Sequence, residues 1–136
     1  MIVSTRGRYA LLIMLDLATN NTGVPVRIKD ISVRQGISEK YLEKIIAHLN
    51  RAGLVKSIRG SKGGYLLKNE PFKYTVGMIL KVADGELSAV SYDDDESFQR
   101  EAGISKIWEQ LEDAVNGVVD NITLQDLIKW QEESKK

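Results

Sequence analysis

Leu42, Ile45, Ile46 and Leu49 recur at i, i+3, i+4 and i+7, which predicts a helix with one apolar stripe. Ser38 ahead of it is an N-cap type, Glu39 in the first turn suits the helix dipole, and Gly53 stops the helix as a C′ residue. The opposite face presents Lys40, Glu43, Lys44, Ala47 and Arg51. Upstream, Tyr9, Leu12, Ile13 and Leu17, with the small Ala10 and Ala18, keep helical spacing behind an N-cap at Ser4 or Thr5. Asn20, Asn21 and Gly23 end that helix, and Pro25 marks a loop. A short helix spans about Ile28 to Arg34, with Ile28 and Ile31 inward. Gly36 breaks it, as the tight turn of a helix-turn-helix requires, and Ile37 packs under the turn. Then the period changes. Leu54 to Ile58 reads as a strand, Arg59 to Gly64 as a glycine-rich turn, and Tyr65 to Leu67 as the returning strand.

The second half begins with a short helix, Val76 to Val82, capped by Thr75 and followed by Gly85. Glu86 to Gln99, including the acidic run Asp93-Asp94-Asp95-Glu96, has weak periodicity and reads as a linker. Ile104, Trp108, Leu111, Val115, Val118 and Ile122 then step by 4, 3, 4, 3, 4, a heptad-like seam widened by Ile107, Ala114 and Val119. A helix with so wide an apolar face needs a partner, so these six residues are the expected dimer interface. Thr123 caps a last helix, Leu124 to about Glu132, with Asp126 at N3 and Ile122 and Leu127 placed as a hydrophobic staple. The expected fold is mostly α with a small β-hairpin: a winged helix-turn-helix followed by a long dimerisation helix. The expected divisions are a DNA-binding domain over 1–85, a linker or effector region over 86–103, and a dimerisation helix with a C-terminal helix over 104–136.

Composition narrows the chemistry. The 136 residues contain no cysteine and one histidine, His48. Disulfides, thiolate-ligated metals, thiol redox sensing and a multi-histidine metal centre are therefore excluded for this chain alone. No Ser/His/Asp triad forms without His48, which reads as a surface or boundary residue, so no catalytic constellation is present. Trp108 and Trp130 read as core or interface aromatics. No apolar run approaches the ~20 residues of a membrane span, and the N-terminus lacks a signal-peptide pattern, so a cytoplasmic protein is expected. The zero net charge hides a division. Residues 1–69 carry 12 Lys+Arg against 4 Asp+Glu, and residues 70–136 carry 7 against 15, giving +8 and −8. A basic half of that kind suits nucleic acid.

A helix fits the major groove, and its N-terminal residues reach base edges, so Lys40, Glu43 and Lys44 are candidates to read bases, with Ser38 and Tyr41 donating to phosphate. The plainer alternative is the solvated face of an amphipathic helix. Arg59, Gly60, Ser61 and Lys62 at the hairpin tip suit the minor groove, where narrow width and negative potential attract guanidinium groups. Alternatively the tip needs glycine only for its geometry; a nucleotide loop is disfavoured because RGSKGG lacks the Walker spacing. Arg6, Arg8 and Lys56 are candidate phosphate contacts. Cations at a helix start oppose its dipole, which fits a role outside the helix for the first two. Double-stranded DNA and a second copy of the chain are the expected partners, with no cofactor. The alternative function is a winged-helix module that binds another protein through its acidic half.

The segments STRGRYALLIMLDLA, DISVRQGISEKYLEKIIAHLNRAGLVKSIRGSKGGYLL and DNITLQDLI resemble the Rrf2 family of bacterial transcription regulators. The resemblance covers nearly the whole chain. It implies a homodimer of winged helices on a pseudo-palindromic operator, with Tyr41 and Glu43 matching the Y-L-E motif of the recognition helix. Arg59 and Gly60 match the minor-groove wing, and Arg6 the basic residue of the S-[TS]-[KR]-G-R-Y opening. Many members sense iron–sulfur clusters through three cysteines ahead of the long helix. Here Glu86 to Gly103 holds none, and Ser105 and Lys106 stand where a ligating histidine sometimes precedes the tryptophan. The chain thus resembles the cluster-free branch that includes the repressor of cysteine metabolism, and the resemblance raises an enzyme of cysteine synthesis as a candidate partner.

Overall fold

The computed structural model describes residues 3–85 and 95–135. Helix α1 (Thr5–Thr19) starts at Ser4, whose Oγ accepts from Gly7 N at 2.9 Å. Helix α2 (Ile28–Gln35) ends at Gly36, where φ of +67° favours glycine. Helix α3 (Glu39–Arg51) is capped by Ser38, whose Oγ accepts from Tyr41 N at 3.2 Å. Strands β1 (Val55–Ile58) and β2 (Gly64–Leu67) pair antiparallel, Val55 opposite Leu67 and Ile58 opposite Gly64. A 3-10 turn over Pro71–Lys73 leads to α4 (Val76–Asp84); α5 (Asp95–Arg100), α6 (Ser105–Val119) and α7 (Leu124–Ser134) follow. The architecture is the expected one: mostly helical, with a winged helix-turn-helix at the front.

One apolar core holds these elements together. Ile13, Met14 and Leu17 of α1 meet Ile31 of α2, Leu42, Ile46 and Leu49 of α3, Ile79 of α4 and Leu124 of α7, all essentially inaccessible. Burying each such side chain stabilises the fold by about 1.5–3 kcal/mol. Leu124, the first residue of α7, lies within the same cluster as α1 and α3. The core therefore runs across the expected division at residue 104. Tyr74 joins the parts at the wing's exit. Its buried hydroxyl donates to Leu54 O at 2.6 Å and accepts from Lys68 N at 3.0 Å and Asn69 N at 2.9 Å.

Two expectations change in the second half. The heptad seam is not one continuous helix from Ile104 to Ile122: Ile104 is the N-cap of α6, and Ile122 lies beyond its end. Tertiary backbone pairing intervenes there, since Val76 N donates to Ile122 O at 2.8 Å and Leu124 N to Tyr74 O at 2.9 Å. Val115, Val119 and Ile122 accordingly pack against Val76 and Leu80 of the same chain. Ile104, Ile107, Leu111 and Val118 remain 45–58% exposed. The second change is α5, a short helix that begins inside the stretch of weak periodicity read as a linker. Asp93 and Asp94 of the acidic run lie outside the described residues. Helix α7 follows expectation, with Asp126 Oδ2 accepting from Thr123 N at 2.9 Å and Thr123 Oγ1 from Asp126 N at 3.2 Å.

Candidate nucleic-acid interface

Helix α3 buries Leu42, Ile45, Ile46 and Leu49 to 2% exposure or less, so its other face points outward. Lys40, Tyr41, Glu43, Lys44 and His48 are exposed there, with Ser38 at the start of the helix. The Tyr41 ring meets Tyr9 of α1 edge-on, centroids 5.4 Å apart, and the Arg8 guanidinium lies 5.4 Å from the Tyr9 ring. Arg6, Tyr41, Lys44, Ile45 and His48 line a cleft of about 200 Å³ between the start of α1 and the face of α3. The fold thus brings Arg6 of α1 to Tyr41 and Lys44 of α3, 35 or more positions away in sequence. Arg51 Nη2 lies 3.2 Å from His48 Nδ1, consistent with His48 at the surface.

The wing tip follows from its glycines. Gly63 N donates to Gly60 O at 3.0 Å, closing a turn over Ser61 and Lys62, and Gly60 has φ of +111°. Arg59, Gly60, Ser61 and Lys62 are exposed, as is Lys56 on β1. These wing residues and the outward face of α3 form two separate presentations of the same domain, as groove-reading by a winged helix requires.

Three contacts that position this surface escape sequence reasoning. Asp16, 3% exposed, accepts from Arg34 Nε at 2.9 Å, Arg34 Nη2 at 2.7 Å and Gln35 Nε2 at 3.0 Å, fixing the end of α2 on α1. The hydrogen bond to the Asp16 carboxylate raises the Arg34 pKa above its ordinary value. An aspartate between Leu15 and Leu17 was the available signal. Asp84 at the end of α4 accepts from Ser4 N at 3.3 Å and from Ser4 Oγ, and lies 3.8 Å from Arg6 Nε. Arg27 Nη2 donates to Ser61 O at 2.8 Å. Long-range pairs such as the last two leave no periodic trace.

Among the described residues, no group of three or more His, Cys, Asp and Glu is placed to hold a metal ion, and no helix is long and apolar enough to cross a membrane. The family model for Rrf2, described as an iron-dependent transcriptional regulator, matches residues 3–130. The HTH-type transcriptional regulator CymR of Bacillus subtilis is 43% identical over 129 residues, covering 94% of this chain and 90% of that protein. The regulator IscR of Escherichia coli is 38% identical, covering 96% and 82%. The solved structure of CymR (YrzC), the global cysteine regulator of B. subtilis, superposes with a TM-score of 0.82 at 41% identity, covering 96% of this chain and 98% of that one. That of T. potens IscR gives 0.82 at 40%, covering 100% and 92%. These likenesses span the winged helix-turn-helix and the helices behind it, and they are to regulators rather than enzymes. The chain belongs to the Rrf2 family and is a DNA-binding transcriptional regulator.

Proposed function

We propose that the chain acts as a homodimeric repressor on a pseudo-palindromic operator, without an iron–sulfur cluster. The observation that carries the reading is α3: one face sealed in the core, the other presenting Lys40, Glu43 and Lys44 beside the cationic cleft at Arg6. In this reading Lys40 and Lys44 donate to guanine acceptors or phosphate, Glu43 accepts from a cytosine amino group, and Ser38 and Tyr41 donate to phosphate. Arg59 enters the minor groove, with Gly60 and Ser61 allowing close approach, while Arg6, Arg8, Lys56 and Lys62 neutralise phosphates. The exposed Ile104, Ile107, Leu111 and Val118 support a second copy seated on α6. Trp108, half-buried with an unpartnered indole N–H, sits on the same helix.

The family's iron does not fit these residues. A cluster needs thiolate ligands, and the chain has no cysteine. Similarity to the global cysteine regulator supports genes of cysteine metabolism as targets, and an enzyme of cysteine synthesis is the candidate signalling partner that the resemblance to that branch raises.

The test is a gel-shift salt series on an operator selected by the wild-type chain from random duplexes. Arg59→Ala is expected to weaken binding about tenfold, the order of one lost minor-groove anchor, with the sedimenting mass unchanged. Equal affinity for the variant across the series refutes the wing assignment.

A further inference from the structure

Arg27 occupies the N-cap of α2 and makes no side-chain cap there. Cap positions favour Ser, Thr, Asp or Asn, and a cation at a helix start opposes the dipole. Its backbone carbonyl accepts from Asp30 N at 3.1 Å and Ile31 N at 3.2 Å, but its side chain does nothing for its own helix. Its guanidinium crosses to the wing instead, Nη2 donating to Ser61 O at 2.8 Å across 34 positions of sequence. The Ser61 carbonyl belongs to a central residue of the tip turn, which closes through Gly63 N and Gly60 O and leaves that carbonyl free to accept.

The backbone beside Arg27 is joined to the wing as well. Val26 N donates to Tyr65 O at 2.9 Å and Tyr65 N to Val26 O at 2.8 Å, so Val26 adds a third, one-residue strand to the hairpin. The approach is so close that a Cβ on Gly64 would lie 2.4 Å from Val26 O and 3.1 Å from Arg27 N. The wing's base is thus fixed to the segment before α2, while its exposed tip, four residues further out, meets that segment through one side chain.

We propose that Arg27 is a positioning residue for DNA reading: it holds the wing tip by the Ser61 carbonyl and so sets the direction in which Arg59 and Lys62 leave the hairpin. This rests on the wing assignment above. Arg27 itself acts through the tip, not as an independent phosphate contact.

A double-mutant cycle distinguishes these roles, with gel-shift affinities for the selected operator duplex and thermal melting to verify folding. Arg27→Ala alone is expected to weaken binding about fivefold, within the range of couplings between residues in one network. In an Arg59→Ala, Lys62→Ala background the same exchange should have almost no effect, because a misdirected tip without its cations loses nothing more. Hydroxyl-radical footprints of Arg27→Ala should lose minor-groove protection, while protection of guanine N7 from dimethyl sulfate methylation, due to α3, persists. Arg27→Lys should restore little, since an ammonium on a flexible stem lacks the rigid fork. A fivefold loss that persists in the double background, with the salt slope reduced by about 0.9, makes Arg27 a phosphate contact and overturns the proposal. If Arg59→Ala, Lys62→Ala itself binds normally, the wing assignment fails and this inference with it.

Discussion

Removing either partner of the Asp16–Arg34 pair tests how the helix-turn-helix is held, and the two removals should be unequal. The Asp16 side chain is 1% exposed and that of Arg34 is 40% exposed. Arg34→Ala strands the carboxylate inside with Gln35 at 3.0 Å and a long approach from Asn20 Nδ2 at 3.5 Å. Taking one partner from a buried pair costs roughly 3–5 kcal/mol when the other stays charged and enclosed. The surviving Gln35 bond brings the expectation to about 3 kcal/mol. Asp16→Ala removes the enclosed charge itself, and the freed guanidinium turns into water. Its cost is the net value of charge-assisted hydrogen bonds, reduced by solvent around Arg34, or about 1.5 kcal/mol. The more exposed residue is thus the costlier one to delete. Urea unfolding followed by far-ultraviolet circular dichroism reads the difference, at one fixed protomer concentration because the proposed self-association would add to stability. A loss for Asp16→Ala equal to or greater than that for Arg34→Ala would refute the reasoning.

Leu111→Glu should weaken self-association at least roughly a hundredfold, since two apolar contacts become two buried charges in a symmetric interface; sedimentation showing an unchanged dimer refutes the α6 assignment. Tyr74→Phe should cost about 3 kcal/mol, because three backbone groups at the wing's exit lose their shared partner; a midpoint shift below a third of that would show that water replaces it. The chain purified without oxygen should show no visible absorption band, and a brown preparation would overturn the cluster-free reading.

The reading half was legible because its signals are local. The Leu42–Leu49 stripe, the Ser38 cap, the Gly36 turn and the glycine-rich hairpin each declare themselves within a few residues. The back half misled at one point for a physical reason. The steps of 4 and 3 continue through Ile122, but periodicity carries no information about Tyr74–Val76, whose backbone pairs with Ile122–Leu124 and ends α6 at Val119. Arg27 and Asp84 were missed because an exposed cation and a terminal carboxylate look the same whether or not a distant backbone group meets them. Asp16 was the missed signal nearest to hand, a charge in a run that includes the core residues Ile13, Met14, Leu17 and Ala18.

The anchoring of Asp84 to Ser4, together with Val115 and Val119 on Val76 and Leu80, has a consequence for the stretch between them. The α4 side of the stretch before α6 is moored at Asp84, and α6 is moored at its far end, through Val115 and Val119. Rewriting the sequence between those moorings should therefore leave the winged helix-turn-helix folded.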